Sequence, residues 1–224
     1  MSGLSSVRRR SFLSAFGAGI SISGTALALG VSTAKAASFF TPTRHALDDW
    51  MDKISGMHRM VFDTTTQDGF GAALLFADNL LIASKDAYGL NERDTAVIII
   101  ARHFATPFAN NDAMWAKYGK AMPSVAVTDD PKTKERRSVN PFSAASNTKG
   151  TTIDELAKRG VHFAVCDMAT KFFSGTLAEA TVGNADGIHN EVAANLVENS
   201  HIVAAGIVAL NRAQERGFTL AIAV

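Results

Sequence analysis

The chain predicts an α/β sandwich, a mostly parallel sheet of about five strands with helices on both faces. Three observations carry that expectation. The unbroken β-branched run Val97 to Ile100 has the pattern of a strand covered on both sides. Such runs alternate with stretches whose apolar residues recur at helical spacing. Glycines stand where those stretches stop, at Gly56, Gly119, Gly160 and Gly217. Right-handed crossovers would then place helices on both faces, giving three layers.

The elements follow in order. Thr41 and Pro42 start a helix that carries Leu47, Trp50, Met51 and Ile54 on one side and ends at Gly56. His58 to Asp63 reads as a short strand, and Thr64 to Gly69 as a polar turn. Phe70, Ala73, Leu74, Ala77, Leu80, Leu81 and Ser84 share a helical face, widened by Leu75, Phe76 and Ile82, so this helix should pack on a sheet. After the strand around Val97 to Ile100, Asn110 is a fair N-cap for a short helix anchored by Met114, Trp115 and Tyr118. The stretch from about 120 to 150 is rich in Pro, Ser and Thr, with basic residues at Lys132, Lys134, Arg136 and Arg137. It reads as a long loop, and loops of that length serve as lids, interface arms or mobile excursions. Thr152 and Glu155 form a T-x-x-E capping box, after which Val161 to Cys166 is the next buried strand. Lys171 to Gly187 gives short helical or irregular pieces, and Ile188 to Asn199 a clearer helix. Strand, helix, glycine stop and final strand complete the chain from Ser200 to Val224.

The first residues predict a destination. Arg9 and Arg10 precede Ser11, Phe12 and Leu13, then a weakly apolar Gly/Ser/Ala-rich stretch, then Ala34-Lys35-Ala36. This looks like a twin-arginine export signal over residues 1–36, cleaved after Ala36, and it places the protein in the periplasm. The expected organisation is that signal, an N-terminal helical segment over 37–56 and an α/β domain over 57–224. The signal carries Arg8, Arg9, Arg10 and Lys35 and no acid, so a chain of formal charge +1 becomes weakly acidic without it. Such a chain has no electrostatic footprint for nucleic acid or an anionic membrane. The single cysteine, Cys166, cannot make an internal disulfide in an oxidising compartment. It is a buried filler, a reactive thiol or an intermolecular partner.

Ligands of parallel sheets gather outside the carboxyl ends of the strands. Four tips are expected there: Asp63 to Thr66, Arg102 to Phe104, Cys166 to Met168 and Ala204 to Gly206. Cys166 is the candidate nucleophile, with Arg102 or His103 as the nearby cation that favours a thiolate. Asp167 opposes it, because a carboxylate beside a thiol disfavours the thiolate. Asp63, Thr64 and Gln67 are candidates for lining a small polar pocket, and Asn111 and Asp112 for contacting a ligand or capping a helix. A different chemistry would use His58, His103, His162, His189 and His201 with Cys166 as metal or haem ligands. No cofactor is expected from motifs, because H-E-x-x-H, C-x-x-C and C-x-x-C-H are all absent. Dinucleotide, P-loop and nucleophile-elbow motifs are absent as well.

Gly160-Val161 leading into a strand that ends at Cys166, followed by Val203, Ala205, Gly206, Ile207, Gln214, Gly217 and Phe218, resembles the DsrE/DsrF-like family. The layout is similar over most of residues 57–224. The resemblance implies an oligomer-forming α/β domain, often a trimer or hexamer. In some members the strand-end cysteine carries a persulfide, a role that maps onto Cys166 alone. It would accept a sulfane sulfur and pass it to a thiol partner. The alternative is a non-catalytic oligomeric binding protein that uses strand-end histidines. The chain departs from the sulfur-relay members by its export signal and by lacking a second cysteine.

Overall fold

A computed structural model describes residues 41–147 and 150–224, and Thr41–Val224 form one compact unit. The expected export signal, residues 1–36, and the first residues of the 37–56 segment lie outside the described residues.

Five parallel strands form one sheet: β1 (His58–Thr64), β2 (Thr95–Ala101), β3 (His162–Cys166), β4 (Ser200–Val203) and β5 (Thr219–Ala223). Their order across the sheet is β4-β3-β2-β1-β5. The fold is the expected α/β sandwich. From β1 to β4 each strand is laid beside the last in one direction, so right-handed crossovers put all their helices on one face. These helices are α2 (Gln67–Tyr88), α3 (Asp112–Tyr118), α4 (Ile153–Lys158), α5 (Asp167–Thr181) and α6 (Ala185–Ala193). The return from β4 to the far edge reverses direction and sends α7 (Gly206–Gln214) to the opposite face, beside the short α1 (Asp49–Lys53).

Alternation along the strands separates the two cores. Phe62, Val97, Ile99, Phe163 and Val165 point toward α2, α4 and α5, where they meet Phe70, Leu74, Leu156 and Leu177. Val61, Ile98, Ile100 and Ala164 point the other way, onto Met51 and Ile54 from the α1 segment and Ala209, Leu210 and Ala213 of α7. The central β2 is buried along its whole length, as its sequence requires. Met51 and Ile54 are core residues of the α/β unit, so the segment expected to stand before the domain is part of it.

Local differences from expectation have physical reasons. The first helix is only a 3-10 turn, Ala46–Asp48, followed by five residues of α1. The cap of α3 is Asn111, whose Oδ1 accepts from the Met114 N–H at 3.1 Å. Asn110 is extended backbone bridged to Leu196. Lys171 to Thr181 belongs to one regular helix, α5, that begins at Asp167, and the helix expected over Ile188 to Asn199 is α6, Ala185–Ala193. The capping box at Thr152 and Glu155 is present as expected.

The described part of the 120–150 loop is packed down. Asn140 is fully buried and donates to the carbonyls of Phe108 and Asn110 at 2.8 and 3.0 Å. Phe142 sits against Phe70 and Phe108, with ring centroids at 5.5 and 5.2 Å. Arg136 bonds the Val127 and Met122 carbonyls and Asp129, and Arg137 bonds the Thr128 carbonyl and Asp130. Two of the four basic residues therefore hold the loop together. Among the described residues no helix is long and apolar enough to cross a membrane.

Two histidines expected near Cys166 sit elsewhere. His162 Nδ1 and His201 Nε2 are 3.0 Å apart, and Trp50 of α1 stacks on His201 with centroids 4.0 Å apart and planes at 10°. Burial lowers the affinity of His162 for protons. Burial, and then the charge of His162, push His201 down to about 4. In the unfolded chain these imidazoles take protons that the folded pair refuses, so stability is lost as pH falls from about 6.5 through about 4. The urea midpoint should drop across that window, and His201→Phe should flatten the drop. A midpoint that does not move in the parent protein would contradict the neutral pair.

Candidate functional site

The connections after β3 and β4 leave the sheet on opposite faces, β3 into α5 and β4 into α7. Diverging connections leave a crevice beyond the strand ends. A cleft of about 410 Å³ opens there. The end of β2 supplies Arg102, His103 and Phe104. The junction of β3 with α5 supplies Cys166, Met168, Ala169 and the rings of Phe172 and Phe173, and the start of α7 supplies Ala205, Gly206 and Ile207.

Cys166 is the last residue of β3 and the N-cap position of α5, and its side chain makes no capping bond. It is buried, 7% exposed, and it lines the cleft. Asp167, expected to oppose a thiolate, turns its carboxylate to His189 Nε2 at 2.6 Å and Lys171 Nζ at 2.7 Å. Burial raises its pKa, but these two partners outweigh it and hold Asp167 below the usual carboxylate range. Its charge is thus neutralised within its own helix and α6.

Arg102 is fixed by Asp63. Nε donates to Oδ1 and Nη2 to Oδ2, both at 2.7 Å, a bidentate pair in which Asp63 is the buried member. The Asp63 hydrogen bonds push the guanidinium above its ordinary value, against the lowering by burial, and the nearby Cys166 adds to the rise. Gly206 lets the Arg102 stem pass. A Cβ there would lie 2.5 Å from Arg102 Cβ and 2.9 Å from its Cδ, closer than packing allows. His103 follows in the left-handed region, φ 54°, a conformation non-glycine residues adopt at a cost. Its exposed ring packs on Phe104 with centroids 4.0 Å apart.

The remaining candidates do other work. Thr64 is fully buried and donates to the Ile100 carbonyl at 2.6 Å. Gln67 clasps Thr128, donating from Nε2 to Oγ1 at 2.8 Å and accepting from the backbone N–H at 2.9 Å. Asn111 caps α3, and Asp112 is exposed in its first turn. None of these four lines the cleft. Of the histidines, only His103 lines it; His58 stands exposed at the start of β1, and His189 is held by Asp167. Among the described residues no three His, Cys, Asp or Glu side chains are placed to hold a metal ion.

Sequence reasoning reached the polar groups of the cleft and, through the tips ending at Phe104 and Met168, part of its walls, and missed Phe172, Phe173 and Ile207. The i, i+4 pair Met168 and Phe172 on α5 was the available signal.

No protein-family model and no curated protein matches the chain. Among solved structures it is similar to a protein of unknown function from Methanobacterium thermoautotrophicum, with 16% identity, 74% of this chain and 98% of that one covered, and a TM-score of 0.37.

Proposed function

We propose that this chain is an exported DsrE-like protein that accepts a sulfane sulfur on Cys166 and passes it to a thiol partner. The observation that carries the reading is the position of Cys166. It lines a cleft at the carboxyl ends of β2, β3 and β4, beside a fixed guanidinium and at the start of the 15-residue α5. A thiolate attacking a sulfane sulfur needs access for a small donor and an electropositive surrounding. Arg102 and the positive end of α5 supply the second. The absence of a second cysteine means that sulfur leaves Cys166 for a thiol outside this chain.

Oligomerisation to a trimer or hexamer belongs to the same proposal. Exposed apolar side chains on α7 and β5, including Val208, Leu220 and Ile222, are surface that a second copy would cover. The size and apolar walls of the cleft also favour a second reading, a binding protein that holds a small ligand near His103 without chemistry at Cys166.

Loading separates the two. Protein incubated with benzenethiosulfonate, desalted and treated with cyanide should release thiocyanate in proportion to protein, and Cys166→Ser should release none. Equal release from the two proteins would overturn carriage on Cys166.

A further inference from the structure

We infer that the sulfur donor taken by this cleft is a small organic anion, a persulfide or thiosulfonate with an apolar body, and not an inorganic one. The inference rests on the reading of Cys166 as the sulfur acceptor and names its substrate class.

The walls and the head of the cleft have different chemistry. Met168, Phe172, Phe173 and Ala169 line one side from α5, and Phe104 and Ile207 stand on the other flanks. A volume of about 410 Å³ is far more than a polysulfide or thiosulfate ion fills. Those hydrated ions would lose water to apolar walls that return no hydrogen bond, a cost the fold does not offset. A hydrocarbon body gains there instead, by burying its own surface against side chains that otherwise face solvent.

The polar end is equally defined. Asp63 takes one N–H from Nε and one from Nη2 of Arg102, and no bond is made by Nη1 within the described protein. Nη1 is therefore a donor held at a fixed orientation in the cleft wall. Beside it the first N–H groups of α7 begin at Gly206 without a side-chain cap, as do those of α5 at Asp167. Because Asp63 offsets part of the Arg102 charge, the site suits a single negative charge with oxygen acceptors. A more highly charged inorganic ion fits it less well.

The step balances without an added oxidant. The Cys166 thiolate attacks the sulfane sulfur of R–SO₂–S⁻, a new S–S bond forms, and the bond to the sulfonyl sulfur breaks. The sulfinate R–SO₂⁻ leaves with the electron pair, and Cys166 becomes a persulfide. With an organic persulfide the leaving group is the thiolate R–S⁻.

Benzenethiosulfonate and methanethiosulfonate share head, charge and chemistry and differ in the apolar body. The ratio of their sulfur-loading rates on the full protein, divided by the same ratio on free N-acetylcysteine, should exceed about tenfold, the contribution of one buried ring. Phe172→Ala, a change at an exposed wall residue, should bring the ratio toward one. Benzenesulfinate, which carries no sulfane sulfur, should bind Cys166→Ser in calorimetry and bind Phe172→Ala more weakly. A ratio near one in the parent protein, with loading intact, overturns the organic donor and leaves Cys166 carriage standing. Loading from no donor overturns both.

Discussion

Arg102→Ala should be one of the most destabilising single changes in the protein, at about 3–5 kcal/mol, because it strands a buried carboxylate. Asp63 is 5% exposed and both its oxygens are taken by Arg102. The companion change Asp63→Asn in the same background should restore most of the loss, since a neutral amide tolerates burial better than an unpaired charge. Urea unfolding of the two single variants and the double variant measures the coupling. A cost below about 1 kcal/mol for Arg102→Ala would place the pair with exposed ion pairs and would contradict a fixed guanidinium in the cleft wall.

Phe70→Ala should cost about 3–5 kcal/mol as well, by a different mechanism, the cavity left by a large ring. Phe70 is fully buried at the start of α2 and touches rings from three other segments. Its centroid lies 5.8 Å from Phe108 after β2, 5.5 Å from Phe142 in the loop and 6.4 Å from Phe163 in β3. The three remaining rings cannot all close on the void, because each is fixed by a separate backbone segment. The melting temperature should fall by about 10 °C or more, the shift expected for such a loss in a domain of this size. Proteolysis within the 120–150 loop should rise in the same variant, because Phe142 loses one of the two rings it packs on. Thermal unfolding that changes by only a degree or two would mean that the loop is not fastened through this cluster.

How much of this was legible in sequence depends on the range of the interactions involved. Val97 to Ile100 announced a central strand because burial on both faces leaves no room for polar alternation. Thr152 and Glu155 announced the start of α4 because a capping box is complete within four neighbouring residues. Gly160 and Gly217 announced element ends for a similar local reason, their positive φ of 89° and 80°.

Longer-range features were hidden. The helix α5 contains Gly175 and several threonines, which weaken its propensity, and tertiary packing of Phe173 and Leu177 decides its state. Losing that helix from the reading also lost Phe172 and Phe173, and with them part of the cleft wall. The 120–150 loop has the composition of a solvated segment, yet Asn140 reaches two carbonyls some thirty residues earlier, which no local pattern announces. Asp63, Thr64, Gln67 and Asn111 show the complementary limit. Their residue types suit ligand contacts and internal bonds equally, and only the fold says that Asp63 steers Arg102 while the other three bond the protein itself.

The central claim is that Cys166 is a thiol presented to small molecules by the folded protein. The most direct test is the rate at which iodoacetamide alkylates it in the native state, read by intact mass and compared with the rate in urea. The account predicts labelling of the folded protein, slowed by benzenesulfinate occupying the cleft. Labelling that appears only when the protein unfolds would show a sealed side chain and would contradict the site.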